Sequence, residues 1–362
     1  MKGSPGAVPQ KRTVTTMKNH GVSFWPWMGI SALGLAFALS LTSCGTATRR
    51  AGPPVRPGVT LEGQEVGGLD RAALHQVALA LAKEREVKPV NASLDSRDQS
   101  AVPGLPGWTA DLTATEKAVM TSPARQAVDL VGSPVPPAVR LDQLADLPVR
   151  HGHPARHEVA LTFTVAWGEE PLTDILRALD RRQVRATFFV VGAWAEDHPD
   201  FVQAMLRGGH EVAGHGYAHR HVASLPADQL RSEIVRGNEM VSALTGQKPG
   251  IFSPPYGEFN QRTLLAASQL GLRTILWSAD TVDWKRPGPS VIASRVEKKV
   301  KNGGIVLMHP VDQTAQALPD ILDFLTGQGY RLVTVSELID EGRPLAPGER
   351  PSSGGIFRRG PR

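Results

Sequence analysis

At 362 residues, 41% of them hydrophobic and 21% charged, the chain is long enough for two compact units plus tails, and its composition is neither that of a disordered nor that of a membrane-embedded protein. Forty Lys and Arg against 35 Asp and Glu leave a net charge of +5, mild for a nucleic-acid binder and not gathered into an arginine-rich helix, so no nucleic-acid partner is expected. The single cysteine excludes an intramolecular disulfide and a Cys-rich zinc site.

That cysteine, Cys44, closes an apolar run that begins near Met28 and is preceded by Lys2, Lys11, Arg12 and Lys18. A basic leader and a short apolar stretch ending in small residues are what export machinery reads, and the run is too short for a comfortable membrane span. Leu41-Thr42-Ser43-Cys44 resembles the lipobox of bacterial lipoproteins, which implies lipidation of Cys44 and an extracytoplasmic protein held to the membrane by a lipid anchor. Residues 1–44 are therefore expected to be a signal peptide, starting at Met1 or Met17, and 45–57, rich in Thr, Arg, Gly and Pro, a flexible tether.

Residues 58–140 read as a small α+β module. A strand-like start at Val59-Thr60-Leu61 and a turn at Gly67-Gly68 lead to an amphipathic helix from Asp70, the expected N-cap, to about Glu86. The opening, Gly58 to Asp70, resembles small extracytoplasmic modules associated with peptidoglycan binding; Trp108 is its one sugar-stacking candidate, and a bland spacer fits equally well. Residues 141–155 lie in a Pro-rich boundary and are expected to be a linker.

From Glu158 onward apolar strand runs alternate with helical patterns. Strands are expected at 159–163, 186–191, 210–213, 250–253, 274–277, 305–308 and 332–335, with helices between them at 172–182, 200–207, 227–244, 261–270, 291–300 and 318–325. Such alternation demands a parallel sheet, and seven βα units can curl into an incomplete (β/α)7 barrel with its chemistry at the C-terminal strand ends. The segment 341–362 is Pro-, Gly- and Arg-rich and is expected to be disordered.

At those strand ends stand His215 and His219, four residues apart after the third strand and able to face one metal, then Tyr256, Asp280, Asp283-Trp284 and His309. In this order His-Gly-x-x-His, Pro-Pro-Tyr-Gly, Asp-x-x-Asp-Trp and Leu-x-His resemble the second to fifth motifs of the polysaccharide deacetylases (NodB homology, carbohydrate esterase family four) over about 156–340, nearest the sporulation-type branch. The resemblance implies an incomplete (β/α)7 barrel and hydrolysis of acetamides on an N-acetylated glycan such as peptidoglycan. It also implies a divalent metal, zinc foremost, on His215 and His219. His309 would be the general acid and Asp280 the carboxylate that tunes it; Tyr256 would give a backbone N–H to the oxyanion, and Leu307 with Trp284 would line the acetyl pocket.

The first motif departs from the family. Where it has Thr-Phe-Asp-Asp-Gly, this chain has Thr162-Phe163-Thr164-Val165-Ala166, so the base Asp and the metal Asp are both replaced, and Ser253 replaces an Arg that orients the base. A Thr hydroxyl cannot take a proton near neutral pH, and loss of a general base costs about two to four orders of magnitude in rate. Any metal is expected to be weakly held. Glu169, next on the loop, is a candidate substitute base or ligand. Two functions remain open: a wall-glycan N-deacetylase with weak or absent turnover, and a non-catalytic glycan-binding or scaffolding lipoprotein.

Overall fold

A computed structural model describes residues 52–345; Cys44, the leader and the chain beyond 345 lie outside the described residues. Among them no helix is long and apolar enough to cross a membrane.

The first barrel strand, Glu158–Val165, is buried along its whole length. Its side chains alternate, as the two-residue period of a strand requires. Val159, Leu161, Phe163 and Val165 join the helix-side core, while Ala160 enters the barrel interior with Phe189, Ala213, Ile251, Ile275 and Ile305. Helix Glu169–Arg181 covers the outer face with Leu172, Ile175, Ala178 and Leu179 at helical spacing.

Neighbours run in the order Arg273–Thr274, Ile251–Phe252, Glu211–Gly214, Thr187–Val190, Glu158–Val165, Gly304–Met308, Ala279–Asp280, with Arg331–Val333 also paired to Glu158–Val165. Every pairing is parallel. The sheet is the curled, incomplete barrel that the alternation predicts. One strand differs: the run expected at 274–277 is split, with Arg273–Thr274 pairing one edge and Ala279–Asp280 the other. Between them the backbone turns to Val149, whose N–H donates to the Thr274 carbonyl and whose carbonyl accepts from Leu276. Counted once, this segment leaves seven strands.

In the module, Asp70 caps helix Arg71–Arg85 by accepting from the Ala73 N–H at 2.8 Å. A second helix, Leu112–Thr121, capped by Asp111, packs on the first. Trp108 lies against Gly132, where a Cβ would sit 2.2 Å from the indole, and carries the Arg85 guanidinium over its ring. Its surface is therefore occupied by packing.

The stretch 141–155 is not a loose linker. Leu141 and Val149 are buried in the barrel-interior cluster, and Arg273 donates to the Leu141 and Leu144 carbonyls. Neither is the start of the tail free. Glu341 is buried and accepts from Gly104 N–H at 2.7 Å and Leu141 N–H at 2.8 Å, while Arg343 grips the buried Glu158 through both nitrogens, at 2.6 and 2.5 Å. Proline content signals a break in regular structure, not exposure, and these segments hold each other through buried charge that composition does not display. The module's ties, Asp95 to His151 and Ala101 to Pro148 among them, fall at the N-terminal ends of the strands, opposite the expected chemistry.

Candidate active site

His215 follows the strand Glu211–Gly214. Its backbone N–H donates to the Val190 carbonyl and its ring Nδ1 lies 2.8 Å from the Ser253 carbonyl. A carbonyl only accepts, so Nδ1 carries the proton and Nε2 presents a lone pair. Burial, reinforced by His219 beside it, pushes the His215 pKa down to about 3, so the ring is neutral. His219 is half-buried, its ring 5.2 Å from that of His215, and burial lowers its pKa too.

The loop carrying this pair is fixed by a residue with no sequence signal of its own. Glu233, buried on helix Ala227–Thr245, accepts from the Tyr217 and Ala218 N–H groups at 3.0 and 2.7 Å. Gly237 on the same helix lets the Gly216 carbonyl approach to where a Cβ would be 2.5 Å away. His219 and Tyr256 both take left-handed backbone, φ 54° and 61°, at a cost of order 1–3 kcal/mol each that these contacts must sustain. The Tyr256 ring lies over His219 at 4.5 Å and stacks on His221 at 4.1 Å.

His309 follows the strand Gly304–Met308. The carboxylate against it is Asp283, not Asp280. Asp283 is fully buried and accepts from His309 Nδ1 at 2.7 Å, from the His309 backbone N–H at 2.6 Å and from the Thr314 hydroxyl at 2.6 Å. Asp280 instead caps its own turn by accepting from the Val282 N–H at 2.7 Å. The left-handed Val282, φ 52°, turns the chain between them and brings the second carboxylate of Asp-x-x-Asp to the histidine. Trp284 is 53% exposed on the following turn, and Leu307 is buried between its strand partners Thr162 and Asp280.

The first-motif positions hold no charge. Thr164 is 5% exposed, and its hydroxyl is buried without a hydrogen-bond partner. Val165 faces the helix-side core, and Ser253 is buried. Glu169 does not fill the gap: it accepts from the Trp194 indole N–H at 2.7 Å and pairs with His198 at 3.4 Å. The Trp194 bond, foremost, holds its pKa below the usual carboxylate range, the wrong direction for a base.

The donor set does not fit a catalytic metal. Among the described residues no three His, Cys, Asp or Glu side chains are placed to hold an ion together, and two neutral imidazoles fall short of the three protein ligands usual for catalytic zinc. Trp167, not foreseen as a site residue, stacks on His309 with ring centres 6.1 Å apart and planes 10° apart, and stands edge-on to His219 at 6.2 Å. Gly168, φ 94°, lets its loop touch the Pro310 carbonyl, where a Cβ would be 2.1 Å away.

Residues 151–275 match the polysaccharide deacetylase family model. The chain is 36% identical over 272 residues to the uncharacterized protein YlxY of Bacillus subtilis, covering 75% of this chain and 85% of that one. This chain belongs to the polysaccharide deacetylase family. The crystal structure of a carbohydrate-esterase family four pseudoenzyme from Bacillus anthracis superposes with a TM-score of 0.63 at 36% identity, covering 74% of this polysaccharide deacetylase homologue and 95% of that chain. A mutant of that pseudoenzyme, described as having restored enzymatic activity, superposes with the same score. Peptidoglycan-N-acetylglucosamine deacetylase PgdA of Listeria monocytogenes is 34% identical over 184 residues, which is 51% of this chain and 39% of PgdA.

Proposed function

We propose that this deacetylase-family protein holds an N-acetylated wall glycan, peptidoglycan or another N-acetylglucosamine polymer, at the C-terminal strand ends that carry His215, His219 and His309, with weak or absent hydrolysis. Lipidation at Cys44 would keep it on the outer side of the cell membrane. The observation that carries the reading is the uncharged first-motif position: Thr164 has a buried, unpaired hydroxyl where deprotonation of an attacking water requires a carboxylate. Glu169 is engaged elsewhere and Val165 faces the core, so neither supplies the missing charge. The pseudoenzyme relative from Bacillus anthracis supports a non-hydrolytic member, and PgdA supports the glycan class. A residual hydrolytic reading has one observation behind it, the His309–Asp283 pair, which keeps the arrangement of an oriented general acid.

Acetate release from N-acetylglucosamine oligomers and from peptidoglycan, with zinc or cobalt added, decides between them. The natural chain is expected to be silent, and a Thr164→Asp, Val165→Asp, Ser253→Arg triple variant, which returns the base, the metal carboxylate and the orienting Arg together, is expected to gain activity. Turnover by the natural protein that His215→Ala abolishes refutes the non-hydrolytic reading.

A further inference from the structure

Residues 52–345 carry 30 Lys and Arg against 34 Asp and Glu, so the body of the protein is mildly acidic. Its cations are not spread evenly. Lys285, Arg286, Arg295, Lys298, Lys299 and Lys301 fall within residues 285–301, where Glu297 is the one carboxylate. The rest of the described chain then holds 24 cations against 33 carboxylates, and a strip of net charge +5 stands on a body of net charge −9. A field so divided turns one face of the molecule toward a polyanion and repels that polyanion elsewhere.

The strip runs from the turn that ends at Lys285 along helix Pro289–Lys299. Elsewhere on the surface arginines are matched by carboxylates, Arg85 by Glu62, Arg182 by Asp323 and Arg185 by Glu337. In the strip the contacts go to neutral groups. Arg295 donates to the Thr281 and Val282 carbonyls at 2.6 and 3.3 Å, Lys299 donates to the Asp280 carbonyl at 2.8 Å, and the Lys285 ammonium lies 4.8 Å from the centre of the Trp284 ring. Such partners position a cation without cancelling its charge. The carboxylates just before the strip are committed, Asp280 to the Val282 N–H and Asp283 to His309 and Thr314.

Folding accounts for only part of this charge. Lys298 and Lys299 stand in the last helical turn, where cations complement the helix dipole. Lys285 and Arg286 precede the first turn, where cations are disfavoured, and Arg286 takes left-handed backbone, φ 50°, which costs a residue other than glycine. The apolar side of the helix, Ile292, Ala293 and Val296, is buried in the barrel's outer core. Val291 is the one large apolar side chain that the strip exposes, so it lacks the apolar face that seats a helix in a bilayer. Residues 285–301 include no aromatic ring on which a base could stack.

We infer that residues 285–301 form a docking surface for a linear polyanion with phosphodiester repeats, a polyol-phosphate polymer. A helix of this length spans about 16 Å, so its cations form a row that an extended chain can follow. Ammonium groups meet phosphate as point charges, and lysines outnumber the bidentate arginines here by four to two. Binding at this surface does not require the histidine site.

Fluorescence anisotropy of end-labelled synthetic poly(glycerol phosphate), titrated with the full chain across a salt series, tests it. Lys285→Gln, Arg286→Gln, Lys298→Gln and Lys299→Gln together are expected to weaken binding at least about tenfold at about 0.1 M salt. They are also expected to lower the slope of log affinity against log salt by about 3. Lys83→Gln, Lys88→Gln, Lys117→Gln and Lys248→Gln remove the same charge from exposed positions elsewhere, and together they are expected to stay within about threefold of the natural chain. Equal loss in the two sets overturns the inference. So does unchanged binding by the first set when its circular dichroism matches the natural chain, or no binding by the natural chain at all. Tighter binding of single-stranded DNA or of poly-L-glutamate of equal charge overturns the polymer assignment. Loss of binding to phosphatidylglycerol vesicles by the first set, with the polymer retained, makes the surface a membrane contact and overturns it as well.

Discussion

Replacing Asp283 by Asn removes one negative charge from a fully buried side chain that accepts three hydrogen bonds. The amide keeps a single acceptor oxygen. If that oxygen stays with the His309 backbone N–H and the Thr314 hydroxyl, an NH2 group faces His309 Nδ1, and the ring must either lose its bond or move its proton to Nε2. A hydrogen bond to a charged group contributes roughly 1.5–3 kcal/mol, and a tautomer change recovers part of it, so Asp283→Asn is expected to cost about 2 kcal/mol. Asp283→Ala strands all three donors and is expected to cost about 3–5 kcal/mol. Asp280→Asn preserves the acceptor used by the Val282 N–H on a half-buried side chain, so its cost is expected to stay below about 0.5 kcal/mol. Urea unfolding followed by circular dichroism measures all three. A cost for Asp280→Asn equal to or above that for Asp283→Asn refutes the assignment of Asp283 as the partner of His309.

His210, buried beneath the sheet with Nδ1 accepting from the Ala186 N–H, has its pKa lowered to about 4 by burial. Between pH 6.5 and 4 the unfolded chain therefore binds the proton and the folded chain does not, so stability falls as pH falls through that window, by roughly 2–3 kcal/mol. His210→Gln is expected to flatten this part of the stability-versus-pH curve, and an unchanged slope contradicts the assignment. Glu341→Ala leaves two buried backbone N–H groups unpaired and is expected to destabilise by about 2–4 kcal/mol, with earlier proteolytic release of the segment around Leu141. Thr164→Val removes a hydroxyl that has no partner, so unfolding free energy is expected to hold or rise by up to about 1 kcal/mol; a loss above 1 kcal/mol shows that the hydroxyl was satisfied.

The barrel was legible because its signals are local. Each strand carries its apolar run and each helix its period, and Asp70 declares a cap within four residues of the N–H it binds. His215, His219, Tyr256, Trp284 and His309 were legible as an ordered set of short motifs. Which Asp of Asp-x-x-Asp meets His309 was not, because that depends on a left-handed turn at a β-branched residue, Val282, which sequence preference argues against. Trp167 escaped because its partners lie 52 and 142 residues further along the chain. Glu233 escaped for a similar reason: a lone Glu on an amphipathic helix reads as solvated surface until the loop it caps is in place. Residues 141–155 were misjudged on proline content, although Leu141 and Val149 already supplied the apolar side chains that bury them.

The split strand at 273–280 has a consequence for association. A parallel sheet that stops short of closure presents two rows of unpaired backbone groups, the usual template for a second chain to add itself. Here the two outermost pieces are only two residues long, they belong to one continuous segment, and Val149 takes up backbone groups of Thr274 and Leu276. The barrel thereby presents little continuous ladder to a stray strand, and self-association through sheet extension is guarded against without a proline or a lysine on the edge.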